Sequence, residues 1–202
     1  MQGTLTSTGR LSIRKIPARK APLSWRLKNT LRWEYIWGWL ANNAARAFTR
    51  ITGIPCMISE LRAKLIRADG TVIDYGVLGR RVVTTAFVNL MVDQLITETS
   101  VWGDFKYHDS GEGSTGAAVG DTDIETTDGE SRATGTQVES AANIYESVGT
   151  ISYTSTKAIT EHGLFNTAAT VTLLDRHVFS AVNVVNGDSI AFTFDFTCTA
   201  GG

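Results

Sequence analysis

The stretch from Ser189 to Thr199 constrains the fold of this chain more than any other. Ile190, Phe192, Phe194 and Phe196 recur at every second position, with Ala191, Thr193, Asp195 and Thr197 between them. Alternation at period two puts the four large apolar groups on one face of an extended strand. A one-residue slip would expose all four and bury Asp195 without a partner, so the register is fixed. Such a strand needs a second layer over its apolar face, and the chain supplies candidates. Phe105 to His108, the region of Gln137, Tyr145 to Tyr153, Ala158 to Phe165 and Val171 to Phe179 all read as strands between polar turns. Thr and Val crowd this half, and the chain holds 19 Gly against 3 Pro, which favours strands and turns. The expected fold class is mainly β: an antiparallel β-sandwich, jelly-roll-like, with the Thr193 face of the last strand in solvent.

Before this region, Met57 to Arg67 and Val72-Ile73 flank Asp69-Gly70, a hairpin turn signal. Thr84 or Thr85 can cap a helix carrying Phe87, Val88, Met91, Val92, Leu95 and Ile96 at helical spacing, the one helix expected to pack on the body. With 202 residues, 43% of them hydrophobic, the chain can bury one good core. The body is assigned to residues 54–202. Cys56 and Cys198 lie near its two ends and could meet if the first and last strands are neighbours; they are read as free, buried and inert.

Charge is divided by position. Residues 1–50 carry ten Lys or Arg against Glu34 alone, and residues 101–202 carry four bases against fourteen acids, in a chain whose net charge is −1. A block of one sign is drawn to a complementary surface, so the front of the chain reads as an anchor. Arg14, Lys15, Arg19 and Lys20 form a basic run around Pro17 in an extended arm. From Ser24 to about Thr49 an amphipathic helix is expected, with Leu27, Leu31 and Tyr35 on one stripe and Trp33, Trp37 and Leu40 on another. Gly53 and Pro55 close it. Residues 1–53 are therefore expected to be a basic arm whose contact residues are Arg14, Lys15, Arg19, Lys20, Trp25, Arg32, Trp33, Trp37 and Trp39. Trp, Tyr and Arg are the favoured anchors of protein interfaces, so a protein partner is preferred over nucleic acid or a membrane surface, with a helix folded onto its own body as the remaining reading. Trp33 and Trp37 are expected to be buried against that partner, and the body is expected to fold without residues 1–50. No secretory signal or membrane-spanning run is readable, which points to an aqueous compartment and no membrane partner.

No motif supports catalysis, a cofactor or a metal. Gly111-Glu112-Gly113-Ser114-Thr115-Gly116 matches the dinucleotide fingerprint in spacing, but acids rather than a helix follow it. Asp121, Asp123, Glu125 and Asp128 lack the register of a calcium loop and read as a solvated acidic loop. His108, His162 and His177 are too widely separated to define a metal site, and no Ser lies in a nucleophile elbow. Asp175-Arg176 reads as a charge pair on a solvent or intersubunit face, and Gly163 as a bend at a sheet corner.

The runs Ala68-Asp69-Gly70, Gly76-Val77, Arg81 to Ala86 and Phe105 to His108, with the Gly-rich loop after them, resemble small structural proteins encoded by tailed bacteriophages. The more specific part is Ile159 to Phe165, Leu173 to Phe179 and Gly187 to Ile190. The resemblance spans roughly residues 66–200 and excludes the first fifty. It implies a virion component, not an enzyme, with a β-sandwich body, assembled in copies. The expectation is a head decoration or cement protein that binds the major capsid protein or another virion protein through the arm and is a homo-oligomer. A head-tail connector, tail or fibre-base protein is the alternative, and a nucleic-acid-binding protein using the basic arm is the alternative of another class.

Overall fold

In the computed structural model of the protein, residues 2–5, 11–14, 18–54, 56–81, 83–96, 105–169 and 172–199 are described. Strands β1 (Gln2–Leu5), β2 (Leu11–Arg14) and β3 (Arg19–Lys20) precede helices α1 (Leu23–Thr30) and α2 (Trp33–Thr52). There follow β4 (Cys56–Ile66), β5 (Val72–Arg81), α3 (Thr85–Ile96), β6 (Tyr107–Gly111), β7 (Ala133–Thr134) and β8 (Thr136–Ala141). The chain ends in β9 (Ile144–Ser152), β10 (Lys157–Phe165), β11 (Leu173–Val184) and β12 (Ser189–Thr199). The fold is mainly β.

Six strands form one sheet in the order β3-β5-β4-β12-β9-β8, four form another in the order β11-β10-β6-β7, and β1 pairs with β2 among the described residues. Strand β12 lies inside the larger sheet, in register with β4 and β9. Its Ile190, Phe192 and Phe194 are fully buried among Leu61 and Leu65 of β4, Ile159 and Leu164 of β10, and Phe179 and Val182 of β11. The core therefore lies between the two sheets, where period-two alternation required it. Helix α3 closes one end: Thr84 Oγ1 accepts from the Phe87 amide at 3.2 Å, and the Phe87 ring stands edge-on to Phe196 at 5.5 Å. The Asp69-Gly70 turn forms as expected, with Gly70 at φ 82°.

Several expectations need correction. The outer face of β12 is only half wet: Asp195 is buried, paired with Arg62 at 2.8 Å. Strand β3 runs parallel to β5, so the larger sheet is mixed at that edge. Although β4 and β12 are neighbours, Cys56 opposes Thr199 and Cys198 opposes Met57, which places the two thiols on opposite faces. Both are free, Cys56 half-buried and Cys198 exposed, so neither is a core residue. Gly163 is no corner. It lies within β10, where a Cβ would crowd the Phe165 ring.

The single expected N-terminal helix is two. Arg32 takes extended backbone, φ −63° and ψ 136°, between α1 and α2, and its Nη1 reaches the Phe179 carbonyl of β11 at 3.2 Å. At the far end Gly53, at φ 70°, donates its amide to the Thr49 carbonyl in the left-handed cap for which glycine is suited. Pro55 lies outside the described residues.

Candidate interaction surface

Strands β5 and β11 lie at or near the margins of their sheets, and β3 pairs only Ile73 and Asp74 of β5. Open strand edges must be covered or they recruit other chains. Helix α1 covers these. Asn29, 1% exposed, donates Nδ2 to the Leu78 carbonyl of β5 at 3.1 Å and accepts from the Ser180 amide of β11 at 2.9 Å. Trp25 Nε1 donates to the Ser180 and Ala181 carbonyls at 3.1 and 2.8 Å, and its ring meets Tyr75 edge-on at 4.5 Å. Trp25 and Arg32, expected to contact a partner, thus bond to the body of their own chain.

Helix α2 packs the other way round from an ordinary surface helix. Its buried residues are Gly38, Asn42 and Thr49, all small or polar. At Gly38 a Cβ would overlap the Arg80 carbonyl oxygen of β5, so the absence of a side chain sets how closely helix and strand approach. The opposite side carries Trp33, Trp37, Leu40, Ala44, Ala47 and Ile51, every one exposed. Trp33 is 68% exposed, Trp37 55% and Ile51 84%. The indoles of Trp33 and Trp37 stack on each other, 5.7 Å apart and 17° from parallel. Phe48 and Trp39 flank this face, each half exposed, Trp39 beside Tyr35 and Arg80 in a shallow cleft. With an aromatic ring offering up to about 250 Å², the face presents roughly 700 Å² of apolar surface, more than the few hundred Å² of a monomer's largest patch.

Of the basic run, Arg19 and Lys20 are exposed on β3 and Arg14 falls in β2. Lys15 lies outside the described residues. No helix among the described residues is long and apolar enough to cross a membrane.

The three histidines, scattered in sequence, meet in the core. Pairing of β10 with β11 sets His162 opposite His177, and β6 brings His108 Nδ1 to 3.0 Å from His162 Nε2. His108 Nε2 lies 2.8 Å from Ser147 Oγ, His177 Nε2 lies 3.2 Å from Asp175, and the His162 ring lies 4.5 Å from that of Phe192. Gly149 gives His108 its space, since a Cβ there would overlap the ring. Burial pushes His108 down to about 3 and His162 well below its ordinary value, so both rings are neutral near pH 7. Among the described residues no group of three or more His, Cys, Asp or Glu is placed to hold a metal ion.

Asp175 and Arg176 are both buried and do not pair with each other, contrary to the sequence reading. Asp175 accepts from Ser59 and faces His177 between the sheets. Arg176 points the other way, to Glu161 at 2.7 Å, Asp121 at 3.1 Å and Glu125 at 3.3 Å. Glu161, fully buried, also accepts from the amides of Gly113, Glu125 and Thr126. The acidic loop is thus tied down over the smaller sheet rather than freely solvated. The glycine-rich amides suited in principle to a phosphate bind the protein's own carboxylate instead, and no helix follows them.

Comparison of the chain with protein-family models, with curated proteins and with solved structures returned no match. The surface must therefore be judged by its own geometry. Sequence reasoning singled out Trp33, Trp37 and Leu40 but not the continuation through Ala44, Ala47 and Ile51, although the spacing was there to be extended. It had no means of finding Asn29 as the bridge between two strand edges.

Proposed function

We propose that this chain is a structural protein of a tailed-phage virion, a head decoration or cement protein with a β-sandwich body that assembles in copies through protein contacts made by its N-terminal helices. The observation that carries the reading is the inverted packing of α2. A helix that buries Gly38, Asn42 and Thr49 while presenting Trp33, Trp37 and Ile51 to water is stabilised by a second surface laid over the indoles. Arg19 and Lys20 on β3 and Arg26 and Lys28 on α1 are exposed, and their charge suits an acidic shell surface. The runs that resemble phage structural proteins contribute β10, β11 and the turn into β12, so the resemblance concerns the body.

The test is the copy number of the chain in purified virions whose genome encodes it, read by quantitative mass spectrometry. Hundreds of copies are expected for a lattice component, and about a dozen or fewer, a ring of cyclic symmetry, would move the chain to the connector or tail. Absence from virions, with steeply salt-dependent binding to nonspecific DNA, would replace the reading with a nucleic-acid binder.

A further inference from the structure

We infer that the outward face of α2 is a homotypic interface, in which two copies of this chain pair their α2 helices antiparallel about a two-fold axis. The inference rests on reading that face as an assembly surface and names its occupant. The spacing requires a helix. Trp33, Trp37, Leu40, Ala44, Ala47 and Ile51 follow one another at intervals of four, three, four, three and four residues, the 3.5-residue repeat with which one helix meets another in a coiled coil. All six are exposed over the length of α2.

The distribution of side-chain volume along the seam selects a second copy and fixes its direction. The first half carries the bulk, Trp33, Trp37 and Leu40, and the second half carries Ala44 and Ala47 before Ile51. Antiparallel pairing sets Trp37 against Ala47 of the second copy, Leu40 against its Ala44 and Trp33 against its Ile51, so large residues fill the space that small ones leave. Parallel pairing would wedge indole against indole and leave the alanines facing across a gap. Opposed macrodipoles favour the same choice. The geometry leaves room for it: Gly38, Asn42 and Thr49, which hold the body, are on the side of α2 away from the seam, so the two bodies end up outside the helix pair. The exposed apolar area, roughly 700 Å² per copy, is close to the ~800 Å² per partner of a standard stable interface.

The experiment uses the full chain with Cys56→Ser and Cys198→Ser, since both thiols are free. Leu40→Cys and Ala44→Cys proteins are prepared separately and oxidised mildly, alone and mixed. Antiparallel pairing gives a disulfide-linked dimer in the mixture and little in either variant alone. Cross-linking of each variant with itself would mean parallel pairing and overturn the inference. Sedimentation of the unmodified chain provides a measurement independent of the cysteines. A dimer at micromolar concentration is expected, and Ala44→Glu, which places a carboxylate in the seam, should weaken it more than about 100-fold with unchanged circular dichroism. A wild-type chain that stays monomeric overturns the inference even if virions hold hundreds of copies. A dimer of the expected geometry stands even if virions hold none.

Discussion

Helices α1 and α2 come from the same basic, tryptophan-bearing segment, yet they face opposite ways. Helix α1 turns Trp25 and Asn29 inward onto β5 and β11 and leaves Leu23 and Leu27, with Leu31 just after its end, exposed. Helix α2 turns Gly38, Asn42 and Thr49 inward and Trp33 and Trp37 outward. The difference follows from what each meets. Two strand edges offer α1 unpaired carbonyls and amides, and an Asn and an indole N–H can satisfy them at once. Helix α2 meets the backbone at Arg80, whose carbonyl oxygen lies where a side chain at position 38 would go, so close approach needs a glycine. The Asn42 Oδ1 and Thr49 Oγ1 atoms it buries have no partner among the described residues. Hydrogen-bond demand places α1, whereas closeness of approach places α2.

The largest effect should come from breaking the α1 side. Trp25→Ala removes a ring packed on Tyr75 and leaves two edge carbonyls without their donor, which should cost about 3 kcal/mol in urea unfolding of the full chain. It also revises what truncation should do: removing residues 1–50 removes Trp25, Asn29 and Arg32 together and exposes the margins of both sheets, so aggregation is expected rather than a soluble body. A truncated chain that unfolds cooperatively at the wild-type midpoint would show that α1 is dispensable.

The acid limb of stability tests the body independently of both helices. His108 has an unfolded value near 6.5 and is held at about 3 by burial. Because the folded value is the lower, the unfolded chain binds the proton first. Stability is therefore complete above pH 6.5 and falls as pH drops toward 3, by about 2 kcal/mol at pH 5 from this group alone. Asp195, pushed up to about 6, works in the opposite sense, gaining stability as pH falls from 6 to 4, and moderates the slope. Denaturant midpoints between pH 7 and pH 4 check this, and His108→Gln should flatten the limb. The α2 seam holds no titratable side chain, so self-association should not change between pH 7 and pH 6.

Period-two alternation made β12 legible to its end residues, and Asp69-Gly70 marked the β4–β5 hairpin, because both patterns are set within a few neighbouring positions. The break between α1 and α2 was not legible. Neither Leu31 nor Arg32 is a helix breaker, and the extended conformation of Arg32 accompanies a bond to Phe179, 147 residues away. The histidine layer was hidden for the same reason: only strand register brings residues 108, 162 and 177 together. On α2 the stripe could be seen, but not its direction, since periodicity identifies a face without saying whether it meets the body or a partner. The role of Glu161 was not legible either, because its four donors arrive from a loop and from β11.

Asn29→Ala sharpens the account of α1 without removing an aromatic ring. It leaves the Leu78 carbonyl and the Ser180 amide facing a small void, and about 2 kcal/mol of destabilisation is expected. Asn29→Asp keeps the acceptor for Ser180 but turns an oxygen toward the Leu78 carbonyl, so it should do no better. If both variants match the wild type in chemical unfolding, the bridge between the sheet edges is ornamental and Trp25 alone holds α1.

The smallest effect is expected where sequence reasoning would place the largest. Trp33→Ala and Trp37→Ala remove indoles that touch each other and water more than they touch the body, so each should change the stability of the isolated monomer by no more than about 0.5 kcal/mol. The measurement has to be made at two concentrations. Where the chains pair, assembly stabilises the folded state by mass action, and the wild-type melting temperature rises with concentration while that of either variant does not. At dilutions below the dimer's dissociation constant the three curves should coincide. If Trp37→Ala costs the dilute monomer as much as Trp25→Ala does, the indole is folded onto its own body, and the contrast between α1 and α2 fails.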